Sequence, residues 1–101
     1  MKTFVLIRRD DQDFSTIPGE VVYIFDHING KPDMRHIAER LEAVLDLASE
    51  FDNIVFNGPA YLIAMAGYFW FTQDDRKYMN MYTYDVTTRQ YHLNPTLPWS
   101  K

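Results

Sequence analysis

The longest uncharged stretch of the chain, Asn53 to Gln73, limits the possible folds more than any other feature. Gly58-Pro59 interrupts it and leaves a run of about a dozen apolar residues, which is below the ~20 that a membrane-spanning helix needs. Such a segment must be buried against protein. We therefore expect a strand over Asn53–Phe56, a turn at Asn57-Gly58-Pro59 and a buried, almost wholly apolar helix over Ala60–Phe71.

Other elements follow from local patterns. Apolar residues recur at helical spacing from Met34 to Ala48, which predicts an amphipathic helix with Asp33 as its N-cap. Pro59 suits the first position of the apolar helix, where its missing N–H is not needed. Alternation and flanking turn residues predict four more strands, over Phe4–Ile7, Val21–Phe25, Tyr78–Val86 and Gln90–Leu93.

The predicted order is β, β, α, β, α, β, β. Strands joined through helices form right-handed crossovers, so we expect an α/β fold with a mostly parallel sheet, two main helices and a C-terminal β-hairpin. Val21–Phe25 is apolar on both faces, which predicts a central strand. A chain of 101 residues fills one core, so residues 1–101 are expected to form one domain.

Composition narrows the class of protein. The absence of cysteine excludes disulfides, thiolate metal sites and a thiol nucleophile. The apolar start of the chain is too short for a signal peptide, so we expect a cytoplasmic protein that does not enter a membrane. A formal charge of −4 disfavours binding to duplex nucleic acid. The sequence contains none of the common nucleotide or hydrolase motifs, and we expect no cofactor.

Ligands of open α/β sheets bind at the carboxyl ends of the parallel strands. Three segments should meet there in one crevice: Asp26 to Gly30, which includes His27 and Asn29; Asn57 to Pro59; and Asp85. Gly58 would let a ligand approach the backbone, while the helix start after Pro59 presents amides suited to a phosphate or a base edge. The alternative interpretation is that Asn57 only caps the helix and Gly58 only makes the turn.

The titratable residues are open to more than one interpretation. His27 is a candidate acid–base residue at a strand end, although a lone loop histidine is more often an ordinary polar residue. His36 fits a solvated helix face, and His92 an exposed hairpin strand. The acidic loop of Asp10, Asp11 and Asp13 lacks the glycine and glutamate of a calcium loop, so we expect no tight metal site.

Two segments carry a resemblance to known domains. Asn53 to Gly67, followed by Met81 to Asp85 and Tyr91, resembles the core of SAVED and CARF sensor domains and of small CRISPR-associated ring nucleases. Those domains have a hydrophobic strand, a Gly-Pro turn, a small-residue helix, and a strand ending in Tyr-Asp. The resemblance covers about residues 53 to 93 and implies a single Rossmann-like, CARF-like domain.

The resemblance also implies a function. These families bind cyclic oligonucleotides in bacterial antiphage signalling (CBASS or type III CRISPR), so the chain would be a sensor subunit or a sponge, with a separate effector protein. Asn57, Gly58, Pro59 and Ala60 would line the ligand site, with Asn29 and the cationic Arg8 nearby.

Cleavage of the ligand is a further possibility that the resemblance raises. A ring nuclease would use His27 and Asp85 as catalytic residues, but Phe71 to Gln73 lacks the histidine of the small ring nucleases. Binding without cleavage is therefore expected. The alternatives are a metal-independent ring nuclease and an interaction module that binds no nucleotide.

A homodimer or a larger assembly is also expected. The apolar helix Ala60–Phe71 has no charged face, and one sheet can cover only one of its sides. A ligand with two-fold character would be bound by two identical half-sites.

Overall fold

The computed structural model describes residues 1–12, 14–15, 17–28, 30–49, 51–72 and 80–94. Predictions for Asp13 and Asn29, and the part of the predicted strand before residue 80, lie outside these ranges. The described residues form five strands and two helices in the predicted order: β1 (Lys2–Ile7), β2 (Glu20–Phe25), α1 (Met34–Leu45), β3 (Asn53–Val55), α2 (Ala60–Phe71), β4 (Asn80–Asp85) and β5 (Gln90–Leu93).

The strands form a five-stranded, mostly parallel sheet in the order β2-β1-β3-β4-β5. β1 pairs in parallel with both β2 and β3, β3 pairs in parallel with β4, and β5 returns antiparallel to β4 as the predicted hairpin. The chain is therefore a small α/β domain. Because β1 to β4 run in the same direction, the segments that follow Ile7, Phe25, Val55 and Asp85 all leave the sheet at one edge, which we call the carboxyl edge.

The order of the strands determines which side each connection takes. The connections through α1 and α2 advance in one direction along the sheet, so right-handed crossovers place both helices on the same face. Phe4, Leu6 and Ile54 form one core with both helices on this side, the helix face. The connection from β1 to β2 advances in the opposite direction and should lie on the other side, the loop face. Phe14 and Ile17 of that connection do pack there.

β2 is not the central strand that its sequence predicted. It lies at one edge of the described sheet and pairs only with β1, while β3 occupies the central position. Val22 and Ile24 pack toward the helix face, and Val21 and Tyr23 pack toward the loop face. The strand is apolar on both sides because α1 covers one face and the described part of the β1–β2 loop (residues 8–12, 14–15 and 17–19) covers the other.

Both helices begin close to the predicted residues. The Asp33 side chain caps α1 by accepting hydrogen bonds from the main-chain N–H groups of Arg35 (3.1 Å) and His36 (3.3 Å). Pro59 is the N-cap of α2, one position earlier than predicted. Neither helix of the described chain is long and apolar enough to cross a membrane.

Two small residues of α2 face outward. Ala60 and Ala64 are exposed, and Tyr68 beside them is 65% exposed. The face that packs against the sheet and α1 is formed by Leu62, Ala66 and Trp70, which are fully buried. An apolar helix surface is therefore left toward solvent in the single chain.

Gly58 is required by the turn between β3 and α2. Its φ of +92° lies in the left-handed region, and a Cβ atom there would lie 2.9 Å from Cγ2 of Ile7. Gly67 is a contrasting glycine within α2, where an added Cβ meets no atom of the described residues within 4 Å.

We expect Gly58→Ala to lower the free energy of unfolding by about 2 kcal/mol, because it combines backbone strain with a clash against Ile7. Gly67→Ala should raise it by about 0.5 to 1 kcal/mol, because alanine is the better helix former and the space is open. Urea denaturation of both variants measures this. Equal effects of the two substitutions would contradict the assigned turn geometry.

Candidate ligand site

The Asn57 side chain joins the ends of β1 and β3. β3 ends at Val55, and Asn57 is the next residue of the chain that faces β1. There the side chain of Asn57, not its main chain, forms the hydrogen bonds to β1. Its Oδ1 accepts from the main-chain N–H of Ile7 (3.1 Å), and its Nδ2 donates to the Ile7 carbonyl (2.7 Å). The side-chain amide thus replaces a main-chain peptide in the sheet. Asn57 does not cap α2, which begins without a side-chain cap in the described structure.

This pairing changes what Asn57 and Gly58 can do for a ligand. β1 and β3 send their connections to opposite faces, so a crevice is expected between their carboxyl ends. Asn57 fills that position and is buried. Replacing Asn57 with alanine would leave the main-chain groups of Ile7 without this partner, and Gly58→Val would strain the turn. Both substitutions therefore report on folding as well as on binding, and neither tests ligand contact alone.

Tyr91 of β5 adds a polar contact beside Asn57 on the loop face. Its hydroxyl donates to Oε1 of Gln12 in the β1–β2 loop. Its ring stacks on Phe14, with centroids 5.1 Å apart and planes 23° apart. Burial raises the pKa of the Tyr91 hydroxyl to about 12, against the opposing effects of the nearby Arg9 charge and the Asn57 side chain. Tyr91 therefore fastens the β1–β2 loop to the sheet.

The main cavity lies between this loop and the outer part of the loop face. Its volume is about 380 Å³. Its walls combine guanidinium groups, carboxamide and aromatic rings, and the residues that line it include Arg8, Arg9, Gln12, Phe14 and Tyr23. Among the predicted ligand-binding residues that the structure describes, Arg8 lines this cavity, while Pro59 and Ala60 are exposed at the start of α2.

Arg8 and Arg9 define the chemistry of the cavity. The Arg8 guanidinium lies over the Tyr23 ring, 5.4 Å from its centroid. Each arginine also has an acidic partner two residues further on, with Arg8 Nε 3.6 Å from Asp10 Oδ1 and Arg9 Nη2 3.0 Å from Asp11 Oδ2. Guanidinium groups bind phosphate, and aromatic rings stack on bases, so this set of groups suits a nucleotide.

His27 lies in a different cavity from Arg8. This second cavity has a volume of about 280 Å³, lies between the end of β2 and the start of α1, and is also lined by Lys31 and His36. His36 is exposed, as predicted. Across the described ranges, no three His, Asp or Glu side chains are grouped closely enough to hold a metal ion.

Asp85 belongs to the hairpin turn. Its Oδ1 accepts from the main-chain N–H of Thr87 (2.8 Å), and its Oδ2 lies 3.9 Å from Nε2 of His92. The main-chain N–H groups of Thr87 and Thr88 hold the pKa of this carboxyl below its ordinary value. His92 is exposed on β5, as predicted. Asp85 thus has a structural partner in its own turn.

The predicted site segments share the carboxyl edge but do not form one crevice. His27 follows β2 and Asp85 ends β4, and these strands are separated by β1 and β3. With ~4.8 Å between neighbouring strands, their ends are roughly 14 Å apart. The sequence interpretation missed Gln12 and Tyr23 as cavity residues. The available signal was the adjacent pair Arg8-Arg9 at the end of a strand, with Phe14 in the loop that follows.

Comparisons with protein-family models, with curated proteins and with solved structures found no match to this chain.

The raised pKa of Tyr91 predicts a specific alkaline instability. The folded state holds the Tyr91 proton more tightly than the unfolded state, whose pKa lies near the ordinary value of 10.0. The resulting contribution of Tyr91 to the free energy of unfolding is complete below pH 10 and is lost as the pH rises to about 12. We expect the stability difference between wild type and Tyr91→Phe to fall by about 1 to 2 kcal/mol across that interval, allowing for solvent screening.

Denaturation at a series of pH values measures this difference. Tyr68→Phe is the control, because it removes a hydroxyl from an exposed ring and should keep the pH dependence of the wild type. A wild type and Tyr91→Phe variant that lose stability in parallel above pH 10 would show that Tyr91 is not responsible.

Proposed function

We propose that this chain binds a cyclic oligonucleotide at the carboxyl edge of its sheet, on the loop face. The observation that carries the proposal is the cavity in which the Arg8 guanidinium lies over the Tyr23 ring with Arg9 and Gln12 beside it. Two cations can pair with phosphates, an aromatic ring can stack on a base, and a carboxamide can hydrogen bond to a base edge. These are the groups that a nucleotide ligand requires.

The cyclic form of the ligand is supported by the resemblance of residues 53 to 93 to SAVED and CARF domains. On this proposal the chain is one Rossmann-like, CARF-like domain that acts in the bacterial cytoplasm. Its role in CBASS or type III CRISPR signalling is that of a sensor subunit or sponge, and a separate effector would respond to the bound ligand. The parallel order of β1 to β4 is compatible with this class of fold.

Binding without cleavage is the form of the proposal that the geometry favours. A metal-independent ring nuclease needs a base and a stabilising group on the same reacting phosphate. His27 lines a cavity that does not include Arg8, and Asp85 accepts a hydrogen bond within its own hairpin turn. The ring nuclease therefore remains the alternative function, with these two residues as its candidates.

We expect Arg8→Ala and Arg9→Ala each to weaken binding of a cyclic nucleotide by about tenfold, because each removes a charge-assisted contact to phosphate. Arg35→Ala is the matched control. Arg35 also pairs with a carboxylate, Glu39, at 3.2 Å, but on the exposed face of α1. Calorimetry with a panel of cyclic di-, tri- and tetranucleotides measures the effect. If no member of the panel gives a heat of binding, the proposal is wrong and the alternative, an interaction module that binds no nucleotide, is favoured.

We further propose that the chain forms a homodimer through the outward face of α2. This face contains Ala60, Ala64 and Tyr68, and α2 contains no charged residue, so two copies would bring no like charges together. α2 starts at the carboxyl edge, directly after Gly58. A two-fold axis parallel to the strands would leave both carboxyl edges at the same end of the assembly, with one loop-face cavity on the outer surface of each copy.

The oligomeric state tests this arrangement. Light scattering of the wild type should give twice the monomer mass at high micromolar concentration. Ala64→Lys should give a monomer, because it places a charge in the apolar contact. Ala43→Lys, on the exposed face of α1, is the control and should remain dimeric. A monomeric wild type, or equal behaviour of both variants, would contradict the interface.

A further inference from the structure

The Arg9 side chain in the main cavity already holds an anion from its own loop. Arg9 Nε donates to Asp11 Oδ1 at 3.1 Å, and Nη2 donates to Asp11 Oδ2 at 3.0 Å. These two parallel hydrogen bonds have the geometry in which a guanidinium binds phosphate. The Asp11 carboxylate therefore occupies the hydrogen-bonding edge of the Arg9 guanidinium that a ligand phosphate would need.

We propose that Asp11 is a specificity-determining residue that competes with ligand phosphate for the Arg9 side chain. This inference rests on the proposed function of the cavity. To bind Arg9, a ligand phosphate must displace the Asp11 carboxylate, so a phosphate–Arg9 ion pair replaces the Asp11–Arg9 ion pair. The displaced carboxylate stays nearby as a second anion. A single phosphate therefore gains little binding free energy from this exchange. A ligand that also contacts Arg8, whose own partner Asp10 lies further away at 3.6 Å, gains enough to bind, so Asp11 selects against small phosphorylated molecules.

The pair is suited to exchange because it does little for the fold. The side chains of Arg9 and Asp11 are 44% and 67% exposed. Exposed ion pairs contribute little to stability, so breaking this one leaves the domain folded. The Arg9 side chain keeps the pKa of Asp11 below its ordinary value, and the carboxylate is therefore charged at neutral pH.

The competition can be measured with inorganic pyrophosphate as the probe. Asp11→Asn keeps the size of the side chain but removes its charge. We expect it to bind pyrophosphate about fivefold more tightly than the wild type, because the competing ion pair and the neighbouring charge are both lost. Adding Arg9→Ala to this variant should remove the gain. Glu39→Gln is the control, because it makes the same change in net charge at the Arg35 pair on α1.

The outcomes separate this inference from the proposed function. Equal pyrophosphate affinity of Asp11→Asn and Glu39→Gln would overturn the inference, as would a gain that persists without Arg9. Cyclic nucleotides are titrated into the same variants. If cyclic nucleotides bind but Asp11→Asn does not bind pyrophosphate more tightly, only the proposed competition between Asp11 and phosphate is wrong. If the gain is present and no cyclic nucleotide binds, the competition at Arg9 stands and the proposed function fails.

Discussion

The paired hydrogen bonds between the Asn57 side chain and the Ile7 main chain organise the carboxyl edge of this domain. β3 is only three residues long, and its last facing position toward β1 is supplied by a side chain instead of a peptide. A buried carboxamide with both ends bonded is stable, whereas the same group left unpaired would be costly. Because Asn57 is held there, the chain must turn at once, and Gly58 makes that turn with a positive φ.

The same interaction determines where a ligand can bind. In an open α/β sheet the crevice between diverging connections is the usual site. Here Asn57 occupies that position between β1 and β3, and the larger cavity lies to one side, beneath the β1–β2 loop. Tyr91 links this loop to the sheet by bonding Gln12 and stacking on Phe14. Arg8 and Arg9 thus lie on a loop that the ring and the hydroxyl of Tyr91 hold against the sheet.

Local sequence patterns predicted the elements well, because helical and alternating periodicities reflect which side chains are buried. The Asp33 cap, the apolar helix Ala60–Phe71 and the hairpin after Asp85 all follow from short-range chemistry. The order of the strands in the sheet does not follow from short-range chemistry. β2 is apolar on both sides at a sheet edge because a loop covers its outer face, and no local pattern distinguishes that case from a central strand. The roles of Asn57 and Tyr91 depend on partners 50 and 79 residues away.

We propose above all that a cyclic oligonucleotide binds beneath the β1–β2 loop on the loop face. Backbone amide chemical shifts, recorded during titration with cyclic di-, tri- and tetranucleotides, test this proposal most directly because they locate the ligand on the structure. We expect saturable shifts centred on Arg8 to Gln12 and on Tyr23, with the outer face of α1 unchanged. Shifts confined to the cavity around His27 and His36, or no shifts with any of these ligands, would contradict it.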